Sequence, residues 1–197
     1  MPRAGLTPER VVEAAAVLAD EVGLEQLTLA LIAQRLGVAM PSLYKHVQGL
    51  DDVRRRLAAR AVAELAAELA DAAAGRAGPD ALAAVAGAYR AYAHRHPGRY
   101  PATLRAPSPD DPAHVAAGER AVGTLYAALR GYGLEGEDAV DATRSLRSAL
   151  HGFVALEAAG GFGLPRDVDR SFERLVAALD AGLRAWPGRP AEVVRGR

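Results

Sequence analysis

Apolar positions recur at helical spacing almost from the start of this chain. Val11, Ala15, Leu18 and Val22 fall at i, i+4, i+7 and i+11, one stripe of a helix. Thr7-Pro8-Glu9 supplies its start: a hydroxyl N-cap, a proline in the first turn and an acid beside the helix dipole. Gly23 ends it. Thr28 is placed to cap a second helix running to Leu36, and Gly37 stands where a helix stops in the left-handed conformation. Leu43 and Val47 (i, i+4) then anchor a very short third helix carrying Ser42, Tyr44, Lys45 and His46. Two short helices joined by a tight turn containing Gly form a helix-turn-helix. Leu27, Ile32, Leu36, Leu43 and Val47 are expected to complete a three-helix core.

From Asp51-Asp52 onward the stripe Val53, Leu57, Ala61, Leu65 and Leu69 predicts a long linking helix. Further helices are predicted from about Asp80 to His96-Pro97-Gly98, through Val115 to Leu129, from Glu137 through Leu156, and from near Asp167 to Leu183. A short helix is expected over 99–105, followed by a Pro-rich loop over 106–112. No stretch alternates convincingly enough for a strand. The fold class expected is all-α, with a helix-turn-helix head over 1–57, a helical body over 58–186 and a flexible tail over 187–197. Met1 to Leu6, with Arg3, reads as a mobile arm.

Composition narrows the function. Hydrophobic residues make up 50% of the 197 residues and aromatics only 5%, which favours closely packed Ala-rich helices. Without Cys there is no disulfide framework, thiolate zinc site or thiol nucleophile. The formal net charge of +0 argues against a protein that compacts DNA nonspecifically, so any DNA contact must rest on a local patch. No apolar run approaches the ~18 residues of a membrane span, and no signal-peptide core is evident, so a cytoplasmic protein with no membrane partner is expected. His94 and His96 share no helical face well, and His151 and Glu157 are not at metal-ligand spacing. A phosphate loop, a Gly-x-Ser-x-Gly elbow and a Cys-His pair are all missing. No catalytic residue, metal or cofactor is assigned. His151 reads instead as a buried partner for a carbonyl or another polar group.

Ala33, Leu36-Gly37-Val38, the run Ser42-Leu43-Tyr44-Lys45-His46-Val47 and Asp51-Asp52 together resemble the DNA-binding domain of the TetR family of transcriptional regulators. The resemblance implies that Thr28, Met40, Pro41, Ser42, Tyr44, Lys45 and His46 meet double-stranded DNA, with Tyr44 and His46 on phosphates. Three departures stand out. Ala39 replaces a capping Ser or Thr, a loss of about 1 kcal/mol that Pro41 offsets by presetting φ. Gly49-Leu50 removes a common phosphate-binding Lys, implying a shallower salt dependence. Met40 and Pro41 offer apolar contact, for example to a thymine methyl, and no bidentate hydrogen bond. Arg54, Arg55, Arg56 and Arg60 on the linking helix read better as a solvated face than as phosphate contacts.

The segment from Arg147 to Val154, with Leu156-Glu157 and Gly160-Gly161-Phe162, resembles a TetR-like C-terminal domain named for a Trp-His-Gly motif, here Leu150-His151-Gly152. That implies a homodimeric four-helix bundle of the last two helices, its interface drawn from Leu150, Val154, Phe172, Leu175, Val176, Leu179 and Leu183, and a palindromic operator. Tyr89, Tyr92, Tyr100 and Tyr126, joined by Leu104, Arg147 and Phe153, are candidates for a small-molecule pocket, each Tyr pairing an apolar ring with a polar tip; the same tyrosines also suit an Ala-rich core. The expected function is a ligand-responsive regulator, a repressor released by a small molecule. An activator or a ligand-requiring regulator of the same fold is the alternative, and a helical enzyme or carrier a remote one.

Overall fold

Thr7 accepts a hydrogen bond from the Arg10 amide at 3.3 Å and opens α1, Pro8–Val22. The computed structural model describes residues 5–186, so Arg3 and the tail predicted over 187–197 lie outside the described residues. Val11, Ala15 and Leu18 are buried as the stripe requires, but Val22 is 41% exposed, because it sits in the last turn where the chain leaves the core. A 3₁₀ turn, Leu24–Gln26, follows that the hydrophobic pattern does not announce. Thr28 caps α2, Leu29–Leu36, by accepting from the Leu31 amide at 3.2 Å. Gly37 then takes φ 66°, and the Gly37 and Val38 amides return to Gln34 and Ala33 at 3.1 and 3.0 Å. That left-handed cap is what makes the turn tight.

The third helix, α3, is only Met40–Leu43. Tyr44, Lys45 and His46 continue it as turn, held by the His46 and Val47 amides on the Leu43 carbonyl. Ala39 provides no side-chain cap, as its methyl must. The linking helix α4, Leu50–Ala73, starts at Gly49 and is steadied by Asp52, which accepts from the Gln48 amide at 3.0 Å. Burial pushes the Asp52 carboxyl up, but the Gln48 amide, Arg56 and Arg55 outweigh it and hold the group below its ordinary range. Leu27, Ile32, Leu43, Val47, Val53 and Leu57 share one core with α1, with Leu36 packed half-buried against it.

The body comprises α5 (Gly78–Arg95), a 3₁₀ turn (Tyr100–Leu104), α6 (Pro112–Arg130), α7 (Gly136–Ala158) and α8 (Val168–Arg184). Among the described residues there is no strand. Helix α6 runs along α4, and α5 packs on both and on α7 and α8. Two apolar clusters fill the body. One joins Leu65 and Leu69 of α4 to Val85, Tyr89 and Tyr92 of α5, Leu150 and Val154 of α7, and Phe172 of α8. The other gathers Leu82, Leu129, Leu146 and Leu183 at the far end. Ala102, in the 3₁₀ turn of the body, is buried in the core of the head, so the two cores meet there.

Candidate nucleic-acid interface and ligand cavity

Leu43 and Val47 turn inward from the second half of the helix-turn-helix and leave a polar outer surface. Tyr44 is 57% exposed, and Met40, Pro41, Lys45 and Thr28 are exposed beside it. Ser42 and His46 are half-buried. Lys45 has no carboxylate within ion-pair distance among the described residues, so its charge is uncommitted. The arginines of α4 are not. Arg55 and Arg56 pair with Asp52, Arg60 with Glu64 at 2.7 Å, and Arg54 reaches the carbonyls of Leu24 and Glu25 at 3.4 Å. Arg55, Arg56 and Arg60 thus form the solvated face expected, 40%, 43% and 36% exposed and paired within the helix, while Arg54 fastens α4 to the head.

A cavity of about 460 Å³ lies between α4, α6 and the 3₁₀ segment. Val62, Leu65 and Leu69 of α4 face Val115, Ala121 and Val122 of α6 across it. Tyr89 of α5, Arg147 of α7 and the run from Thr103 to Pro107 complete the wall, with His114 and Glu119 from α6. Tyr89, Leu104 and Arg147 were legible as candidates in the sequence; the other four pocket candidates lie elsewhere. Tyr100 stands behind Tyr89, their hydroxyls 2.8 Å apart, and its own hydroxyl is 2.7 Å from His151 Nδ1. Burial pushes the phenols of Tyr89 and Tyr100 up, so both remain hydrogen-bonding hydroxyls. Tyr92 is 0% exposed and donates to the Ala61 carbonyl at 3.2 Å, a core tyrosine. Phe153 packs on Phe162 and Phe172, and Tyr126 lines a separate recess with Leu134 and Val140. His114 has no strong sequence signal, being one His at the mouth of a Pro-rich loop.

The segment that lines the cavity is also the segment that holds the head. Asp20, near the end of α1, accepts the amides of Gly98 and Arg99 at 3.1 and 2.9 Å. Its other oxygen lies 3.1 Å from His96 Nδ1 and 2.8 Å from Arg99 Nε. Arg99 also donates to Glu64 of α4 at 3.1 Å, and Arg105 pairs with Asp51 at 3.1 Å. None of these pairings has a local sequence signature, because the partners lie far apart in the chain.

Comparison with known proteins meets this geometry at both ends. Residues 11–53 match the model of bacterial regulatory proteins of the tetR family, and residues 82–179 match a tetracyclin repressor-like C-terminal domain. The HTH-type transcriptional regulator Rv0681 of Mycobacterium tuberculosis is 44% identical over 181 residues, 91% of this chain and 83% of the relative. The chain belongs to the TetR family of transcriptional regulators. The HTH-type transcriptional regulator YobS of Bacillus subtilis is 35% identical over 182 residues, 92% of this chain and 95% of the relative. A crystal structure of the regulatory protein SCO4313 superposes with a TM-score of 0.70 at 27% identity, covering 87% of this chain and 94% of that one.

For this TetR-family chain the expected dimer residues need correction. Leu150, Val154, Phe172 and Leu183 are buried within the subunit's own core, where α5, α7 and α8 meet, and so do not form an outer face. Leu175, Val176 and Leu179 are half-buried. The exposed positions of α8 include the small residues Ala177, Ala178, Ala181 and Gly182 beside the charged Arg170, Glu173, Arg174 and Arg184. The breadth of the apolar face on α8 is explained inside the subunit. Arg90 of α5 donates to Glu157 of α7 at 2.9 Å and to Asp169 of α8 at 2.7 Å, and its guanidinium lies 4.8 Å from the Phe172 ring centre. His94 adds Nε2 to the same Glu157 at 2.8 Å.

Proposed function

We propose that this regulator is a homodimeric repressor whose hold on a palindromic operator is released by a small molecule in the α4–α6 cavity. One observation carries the reading: the cavity wall from Thr103 to Pro107 is continuous with the residues, Gly98 and Arg99, that are hydrogen-bonded to Asp20 of the head. A ligand pressing on that wall acts on the orientation of α1, and through it on the helix-turn-helix. The exposed positions Thr28, Met40, Pro41, Tyr44 and Lys45, with Ser42 and His46 at their edge, are assigned to DNA. Lys45, Tyr44 and His46 suit phosphates; Met40, Pro41 and Ser42 suit base edges.

The small outward residues of α7 and α8, including Ser148, Ala155, Ala178 and Ala181, let two copies approach closely. A two-fold dimer sets two reading heads on the half-sites of a palindrome. The ligand shifts the population between operator-binding and released states by its differential affinity for them, and by nothing else.

The reading is tested by titrating the protein against the palindrome upstream of its own coding region and against a scrambled duplex, at two salt concentrations, with stoichiometry read by sedimentation. Preference for the palindrome at one dimer per site supports it. Equal affinity for both duplexes overturns it.

A further inference from the structure

Two nitrogen-bearing side chains line the α4–α6 cavity without a carboxylate partner, buried His114 and exposed Arg147. His114 is 2% exposed, and its ring has no hydrogen-bond partner among the described residues. Its main-chain amide is already taken by Asp111 Oδ1 at 3.1 Å, so what is left over is the imidazole. Neither ring nitrogen is sealed off from the cavity, so a bound group can reach the imidazole there. Arg147 at the same wall is exposed to water. It reaches the Thr103 carbonyl at 3.5 Å, the outer limit of a hydrogen bond. No described carboxylate pairs with it, whereas Arg60, Arg90 and Arg99 each hold one.

The remaining wall is hydrocarbon, chiefly Val62, Leu65, Leu69 and Val122. Arg105 at the same wall is already committed to Asp51. Glu119 is the one acid lining the cavity; it is exposed to water and forms no ion pair with Arg147. The site therefore offers one uncommitted guanidinium fork, one buried imidazole and an apolar trough. A carboxylate matches the fork with two parallel hydrogen bonds and accepts a third from the imidazole N–H. A phosphate ester brings more charge than one guanidinium balances, and an ammonium group is repelled by the charge of Arg147.

We propose that the effector is an apolar monocarboxylate: an aliphatic or aryl body along α4 and α6, and a carboxylate held by Arg147 and His114. This rests on the reading of the cavity as the effector site. It adds the chemical class.

The test uses the full chain and six probes: octanoate and hydrocinnamate, each beside its primary amide and its amine. Calorimetry gives affinity, and release of operator DNA gives response. The two acids are expected to bind at least about tenfold more tightly than their amides, with the amines weakest. Arg147→Gln is expected to erase the preference for acid over amide while leaving amide affinity within about twofold. His114→Gln is expected to weaken acid binding, with a melting curve confirming the fold. Val122→Trp fills the trough and should abolish binding of every probe; Leu65→Phe repeats that test at a second wall. Acids and amides binding alike, with both blocked by Val122→Trp, leaves the effector cavity in place and overturns the acid class. Acid binding that survives both filling variants overturns the cavity reading itself. Failure of both acids to bind overturns the proposal, and the cavity reading then stands or falls on whether the filling variants alter operator affinity.

Discussion

Gly98 and Ala19 meet backbone to backbone: a Cβ placed on Gly98 would fall 1.7 Å from the Ala19 carbonyl oxygen. Glycine is required there by close approach, since the atoms in the way are main chain and cannot rotate aside. The contact lets Asp20, one residue further on, collect the Gly98 and Arg99 amides. Gly98→Ala is therefore expected to force α1 away from the body. Overpacking of this kind costs about 1–3 kcal/mol. Urea unfolding checks the stability loss, and operator titration should show weakened binding in the fraction that stays folded. Wild-type stability and operator affinity in Gly98→Ala would mean that the joint is not rigid.

The outer surface of the helix-turn-helix separates affinity from specificity. Lys45→Ala is expected to weaken binding to operator and scrambled duplexes alike, and to reduce the salt slope by about one. Tyr44→Phe removes one hydroxyl at a cost of about 1 kcal/mol, largely independent of sequence. Ser42→Ala should lower the ratio of operator to scrambled affinity. Titrations at several salt concentrations decide each; unchanged affinity and slope in the first two variants would mean that this surface does not face DNA.

Acid should loosen the union of α5, α7 and α8. Hydrogen bonds from Arg90 hold the Glu157 carboxyl below its ordinary range, against the opposing effect of burial, and His94 adds to them. A carboxyl with its folded pKa below its unfolded value contributes stability that is complete above the unfolded value of about 4.3 and is lost as pH falls through the folded one. Glu157→Gln should be less stable than wild type near neutrality, and the gap should shrink toward about pH 3. Denaturation midpoints across that range test the sign; a gap that widens on acidification contradicts it.

Core and interface on α8 come apart under substitution. Phe172→Ala should cost about 3–5 kcal/mol of stability, because the ring is buried against Phe153 and Arg90. Ala178→Arg, on the outward face, should leave helicity unchanged and shift sedimentation toward monomer, with a matching loss of affinity for a palindrome. A persisting dimer in Ala178→Arg places the interface elsewhere.

The helices were readable because each advertises itself locally. Thr7 and Thr28 cap where they were expected to, and Gly37 stops α2 with a positive φ. Tyr92 and Phe172 are legible as inward-facing, but periodicity reports that a side chain faces inward without naming what it faces. Local spacing therefore suits Tyr92 to a pocket and Phe172 to a dimer, whereas both fill the subunit's own core. The union of Asp20 with Gly98 and Arg99 depends on residues some eighty positions apart, and His114 gains its meaning only from the trough it faces. Neither leaves a trace in local spacing.

The concentration of contacts on Asp20 sets how the head can respond. Two amides, an imidazole and a guanidinium converge on one carboxylate of four lone-pair directions. Such contacts have steep distance dependence: a displacement of about 1 Å takes all of them beyond hydrogen-bonding range together. Head and body are joined at one carboxylate of α1, so the four contacts there are made or lost as a set and not one at a time.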